Sequence, residues 1–109
     1  MSIIKVACKD QIMEFVDMPL IASGGVNEDK VEFTFDASWS TYEKTAVFYR
    51  SPKQVYHVPI TANKCTVPAE VLEKEGYMYF GVFGIYGQTI QTSEVVKYKI
   101  VQGVMMEKC

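Results

Sequence analysis

A single histidine, a single tryptophan and three widely spaced cysteines are all that this 109-residue chain offers of several chemically versatile residue types. Cys8, Cys65 and Cys109 form an odd set with no CxxC pair, so neither a disulfide framework nor a zinc site can be built from them. Free thiols are expected. Cys8 and Cys65 stand in apolar, strand-like surroundings that suit a small buried hydrophobe, and Cys109 reads as exposed. Positive charge is not in excess. With 11 Lys and Arg against 13 Asp and Glu, the formal net charge is −2 and no basic stripe exists to neutralise phosphates, which argues against a nucleic-acid partner. No apolar run approaches the roughly 20 residues of a membrane span. The opening Met1-Ser2-Ile3-Ile4-Lys5 also lacks the basic start and apolar stretch of a secretory signal, so synthesis in the cytoplasm, without a membrane partner, is expected.

What is present is apolar and alternating. A hydrophobic fraction of 49% with 22% charged residues excludes disorder and collagen-like structure, and the length fits one domain around one core. No internal repeat is found. Val31, Phe33 and Phe35 alternate with Glu32, Thr34 and Asp36, the pattern of a strand with one buried and one wet face. Before it, Ser23-Gly24-Gly25-Val26-Asn27-Glu28-Asp29 is a turn-forming cluster that sets off an N-terminal strand segment, residues 1–23, from a main sandwich at 24–103 and a tail at 104–109. The N-terminal segment holds a strand at Ile3 to Ala7 and a weaker one around Met13 to Phe15. Lys44 to Arg50 and Gln54 to Ile60 form a hairpin across Ser51-Pro52-Lys53, with Ala46 and Phe48 on one face of the first strand and Tyr56, Val58 and Ile60 on one face of the second.

The one helical signal is Thr66 to Gly76, where Pro68 suits a first helical position, Glu70 the positive end of the dipole and Gly76 a stop. About two turns are expected. Tyr77 to Ile85 is apolar on both faces, as a central strand would be, and Gly87 ends it. Val95 to Val101 supplies a last strand in which Val96, Tyr98 and Ile100 oppose Lys97 and Lys99. Seven or eight short strands and one short helix make an all-β fold, an antiparallel two-sheet β-sandwich.

Few residues suggest catalysis. His57 would have to serve any Ser-His or Cys-His pair, and no second histidine exists to ligate a metal, so an edge-strand histidine is the simpler reading. Asp36 and Glu43 flank the Trp39 connection but read as solvated loop acids rather than a glycosidase pair. Asn27, Glu28 and Asp29 lack EF-hand spacing, and turn chemistry explains them. Gly81, Gly84 and Gly87 lack the following helix that a phosphate loop needs, and close strand packing explains them. No catalytic, metal or cofactor residues are assigned. Trp39 has two readings: a core side chain capping the sandwich end with its N–H on a backbone carbonyl, or, with Tyr42, a platform for a sugar ring. The core reading is favoured. Tyr77, Tyr79, Phe83 and Tyr86 form an aromatic set that would meet a partner if one face of the central strand is left uncovered, an identical subunit being the simplest candidate.

The succession Asn27-x-x-x-Val31-x-Phe33-x-Phe35-x-x-x-Trp39, Thr45-Ala46-Val47-Phe48, Cys65-x-Val67-Pro68-x-Glu70-Val71-Leu72, Gly76 and Phe80-Gly81-Val82-Phe83-Gly84 resembles the Ig-like β-sandwich domains of bacteriophage tail and baseplate proteins. The nearest resemblance is to the N-terminal domain of phage upper baseplate proteins. It spans residues 24 to 102 and consists of spaced core residues and a Val-Pro-x-Glu-Val-Leu helix entry, with no catalytic signature. The coiled coil and receptor-binding head that such proteins often carry are not in this sequence, and a short N-terminal extension is added. The resemblance implies an Ig-like fold and a non-enzymatic structural or assembly module of a virion, in contact with other tail proteins or with identical subunits. The alternative is a carbohydrate-binding module recognising a bacterial surface glycan through Trp39 and Tyr42.

Overall fold

Alternating patterns along the chain are realised as strands over nearly its whole length. The computed structural model describes residues 2–26 and 28–104. Asn27, Cys109 and all of the expected tail beyond Val104 lie outside the described residues. The strands are β1 (Ile3–Lys9), β2 (Ile12–Asp17), β3 (Lys30–Phe35), β4 (Glu43–Ser51), β5 (Gln54–Pro59), β6 (Lys64–Thr66), β7 (Gly76–Tyr86), β8 (Thr89–Thr92) and β9 (Val96–Ile100). Sheet one has the order β2-β1-β3-β6, and sheet two the order β5-β4-β7-β8, with β9 also paired to β7. This is the partition of an Ig-like sandwich, in which strands A, B and E share one sheet and C, F and G the other. In that scheme β3 and β6 take the places of B and E, β4, β7 and β8 with β9 those of C, F and G, and β5 is the added strand beside C, whereas β1, which runs parallel to β3, and β2 outside it depart from the antiparallel pattern.

Three expectations need correction. The sheets are not wholly antiparallel, because β1 and β3 run parallel from Ile3↔Lys30 to Cys8↔Phe35. Through that pairing the N-terminal strand segment contributes to the core, with Ile4, Val6, Cys8, Met13 and Ile21 all buried. The expected helix contracts to a 3-10 turn, Ala69–Leu72. Its Pro68 cap makes no side-chain hydrogen bond, and the Val71 carbonyl, which a continued helix would offer to the Glu75 N–H, accepts from Arg50. Register slips between Tyr49 and Ser51 in β4, and Arg50 donates to the carbonyls of Val71 (3.1 Å), Lys74 (2.5 Å) and Glu75 (2.6 Å). Buried Val71 and Leu72 then pin the turn to the sandwich. Finally, β8 is a strand where none was expected. Tyr86↔Thr89 closes a two-residue loop that begins at Gly87, whose φ of +61° a side chain would resist.

Between the sheets lie Ile4, Val6 and Cys8 of β1, Val31 and Phe33 of β3, Ala46 and Phe48 of β4, and Met78, Phe80 and Val82 of β7, all buried. Phe48 stacks on Phe80 with ring centroids 5.4 Å apart, and Phe15 packs edge-on to Phe80 at 6.1 Å. The connection after β3 crosses from sheet one to sheet two through a 3-10 turn, Ala37–Trp39, capped by the Asp36 carboxylate accepting from the Ser38 N–H. Trp39 has no exposed surface, and its Nε1–H donates to the Asp10 carbonyl at 2.6 Å, so the favoured core reading holds. A Cβ on Gly84 would stand 2.7 Å from Tyr42 Cβ and 3.2 Å from Trp39 Cζ3, which explains that glycine by close approach. The two sheets are stitched at one side as well. The Met13 N–H donates to the Glu94 carboxylate (2.9 Å), the Glu94 N–H to the Gln11 carbonyl (2.8 Å), and Gln11 Nε2 to the Thr92 carbonyl (2.9 Å).

Gly84→Ala is therefore expected to destabilise the fold by about 1–3 kcal/mol, the usual range for overpacking a tight site. Urea unfolding followed by Trp39 emission reads this directly; an unchanged midpoint would mean that the 39–42 crossing yields freely to an added methyl.

Candidate functional site

A sandwich has two outer faces, and in this protein they differ in character. On sheet one, register places Lys5, Ala7 and Lys9 of β1 beside Glu32 and Thr34 of β3 and Glu14 of β2, with Lys64 beyond. Ile12, paired with Lys9, is exposed on the same face, and Val16 of β2 is exposed beyond Glu14, so this is a mixed solvated surface in which charged side chains interrupt the apolar ones. On sheet two the cross-strand partners are Tyr49↔Tyr79, Val47↔Gly81 and Thr45↔Phe83 between β4 and β7, and Val55↔Tyr49 and His57↔Val47 between β5 and β4. Ile85↔Ile90 continues the same face onto β8, and Tyr79↔Lys97 and Tyr77↔Lys99 continue it onto β9. Since directly paired residues share a face, these side chains form one aromatic and aliphatic layer that no element of the described residues covers.

The layer is ordered by its own contacts. Tyr49 and Tyr79 stack with centroids 5.5 Å apart and planes at 19°, His57 sits edge-on to Phe83 at 5.6 Å, and Lys97 Nζ lies 4.8 Å over the Tyr77 ring. Tyr77 is 44% exposed, and Val55, Ile85 and Ile90 are exposed too, whereas Val47, Tyr49, Tyr79 and Phe83 are half-buried by their neighbours. Charge is confined to its rim. Lys99, paired with Tyr77, stands at one end, Lys97 lies beside Tyr79 on the edge strand β9, and Glu43, paired with Ile85, stands at the other end.

Of the aromatic set expected at an interface, Tyr77, Tyr79 and Phe83 share this layer. Tyr86 does not. It lies one residue out of phase with Phe83 and Ile85, pairs with Thr89, and packs edge-on to Tyr42 at 6.2 Å on the other side of the strand. Reading β7 alone overlooked Val47, Tyr49, Val55, His57 and Ile90. The signal was present for the first four: once Ala46 and Phe48 point inward, Val47 and Tyr49 must point outward, and Tyr56 and Val58 impose the same on Val55 and His57. Ile90 was missed along with β8.

The paired sugar platform is also corrected. A fully buried Trp39, held edge-on to Tyr42 at 6.2 Å, presents no ring face to solvent, which leaves Tyr42 alone. Tyr42 borders an open cleft of about 570 Å³ lined also by Glu43, Lys44, Thr45, Pro59 and Asn63. Lys44 Nζ in this wall is engaged, donating to the Tyr42 carbonyl at 3.2 Å and lying 5.0 Å over the Phe35 ring. Asp36 is committed to the backbone: it accepts from the Ser38 hydroxyl, then from the Asp10 and Ser38 N–H groups, and these bonds hold its carboxyl below the usual aspartate range. Among the described residues no group of three or more His, Cys, Asp or Glu is placed to hold a metal ion. No helix of those residues is long and apolar enough to cross a membrane.

Cys8 and Cys65 are both free and buried, as their apolar contexts suggested. Burial pushes the Cys65 thiol up to about 12 and the Cys8 thiol up to about 11, the latter helped by the charges of Asp36, Asp10 and Glu94. Burial likewise pushes the Tyr98 phenol, whose hydroxyl donates to the Pro19 carbonyl, up to about 12. Comparison with protein-family models and with curated proteins finds no match to this chain.

These three groups give alkaline stability a definite sign. Each pKa is higher in the folded than in the unfolded chain, so its contribution is complete below the unfolded values of 9.0 for the thiols and 10.0 for the phenol. It is lost as pH climbs through the folded values. The urea midpoint is expected to fall steadily between about pH 9 and 12, and Cys65→Val is expected to flatten that slope. A midpoint level to pH 11 would contradict the burial of these groups.

Proposed function

We propose that this chain is a non-enzymatic structural or assembly module that works through protein–protein contacts, and that its setting is a phage tail or baseplate. The observation that carries the reading is the difference between the outer faces. A contiguous apolar layer on a small domain marks a contact surface, since scattered exposed hydrophobes are normal but a continuous sheet of them is not. Its composition suits the centre of an interface, with tyrosine and phenylalanine in the middle and charge at the rim. The virion setting is supported by the spaced core residues from Asn27 to Gly84 that resemble phage baseplate domains. The Ig-like sheet partition is consistent with that resemblance.

A second reading rests on the Tyr42 cleft. One half-buried aromatic ring among Glu43, Thr45 and Asn63 offers a stacking surface with polar groups around it, the elements from which a glycan contact is made.

The two readings differ in what they require. If the chain is a virion component, particles purified from a lysate of the encoding phage will contain its peptides at a fixed ratio to the other structural proteins. Their absence from clean particles would overturn the tail assignment. If the chain binds glycan, cell-wall polysaccharide will shift Trp39 emission through the neighbouring Tyr42 ring, and Tyr42→Ala will abolish the shift. The assembly reading expects no such shift.

A further inference from the structure

We propose that the occupant of the sheet-two outer face is a second copy of this chain, docked face to face about a two-fold axis that lies in the interface plane and runs across the strands. The inference rests on the assembly reading above and names its partner. Two observations point to a like partner: the size of the face and the way its charges are laid out.

The 11-residue strand β7 spans about 37 Å at about 3.4 Å per residue, and four strands about 4.8 Å apart give a width of about 19 Å. Because β5, β4 and the edge shared by β8 and β9 are shorter than β7, the face comes to about 570 Å² per copy, near the roughly 600 Å² per partner at the lower end of specific interfaces. The charges are arranged for self-complementarity. An isologous contact requires each patch to carry both halves of every pair, displaced across the axis. Here Lys99 stands at the Tyr77 end of β7, with Lys97 beside Tyr79 on the edge strand, and Glu43 stands at the Ile85 end. A two-fold axis across the strands lays the lysine end of one copy over the Glu43 end of the other, twice. The same operation sets the Tyr49, Tyr79 and Phe83 rings at the centre, where they are already held by stacking and lose little freedom on docking. Sheet one offers no equivalent, because its charges are interspersed across the whole face.

The test is sedimentation equilibrium of the purified chain under reducing conditions, from about 1 μM to about 1 mM, a range that covers weak and moderate affinities. A species of twice the 12.4 kDa chain mass is expected. Tyr79→Glu is expected to raise its dissociation constant by about 100-fold or more, the effect of charging a central aromatic. Ile90→Lys, at a position 65% exposed, supplies a second disruption with no cost to the core. Glu43→Lys and the pair Lys97→Glu with Lys99→Glu are each expected to weaken the dimer, and mixing the two variants to restore a mixed dimer. A chain that stays monomeric at about 1 mM would overturn this proposal, and so would a dimer indifferent to Tyr79→Glu and Ile90→Lys. Failure of the charge swap to rescue would overturn the stated orientation. None of these results removes the chain from purified particles, so the assembly reading is judged separately.

Discussion

The indole of Trp39 determines how the two sheets meet. It sits where the chain leaves sheet one for sheet two, wholly out of water, and its only polar atom is satisfied by the Asp10 carbonyl in the turn of the first hairpin. The same turn is held from its other side, because the Asp10 N–H donates to the Asp36 carboxylate that caps the crossing. Hairpin, crossing and cap therefore lock one another. Satisfaction of a buried N–H is worth more than the bond itself, since leaving it unpaired would cost the full desolvation of the group. Around that joint Phe35 and Tyr42 close on the ring, and β7 must present Gly84 because no side chain fits beneath them.

Fixing the sheets at this angle sends one alternate set of β4, β5 and β7 residues inward and the other set outward. Inward lie Ala46, Phe48, Met78 and Phe80; outward lie Val47, Tyr49, Val55, Tyr77 and Tyr79. A strand apolar on both faces needs cover on both. Sheet one supplies it on the inside. Nothing in the described residues supplies it on the outside, and that imbalance is the physical basis for reading the protein as a contact module.

Much of the fold was legible because period-two alternation is a strong signal when one face is wet. Val31, Phe33 and Phe35 announced β3, and the hairpin around Pro52 followed from its turn residues. The parallel pairing of β1 with β3 was not legible, since strand partners depend on contacts between distant segments and local pattern is silent about direction. The helix was misjudged because propensity at Pro68, Glu70 and Gly76 is local, whereas the turn is held by distant contacts: Val71 and Leu72 are buried in the core and Arg50, 21 residues earlier, bonds the Val71 carbonyl. The outer apolar layer of sheet two was half legible. Its β7 members stood out as aromatics, but Val47 and His57 gain meaning only when neighbouring strands are aligned, and Tyr86 was included because aromaticity was weighed above phase.

At the far end of the sandwich, Ser23 and Gly103 are joined across 80 residues of chain, the Gly103 N–H donating to Ser23 Oγ at 2.9 Å. Beside them, Ala22 and Val101 form a parallel bridge. Such long-range closure affects a protein made from one end. At about 5–20 residues per second, roughly 4–16 s separate the appearance of Ser23 from that of its partner. Until β4 and β7 are made within that interval, Ile4, Val6 and Cys8, which precede them in the chain, have no second sheet to pack on. They must wait in a nascent chain whose apolar strands are open to solvent, which makes the early segment of this protein the part most dependent on its surroundings during synthesis.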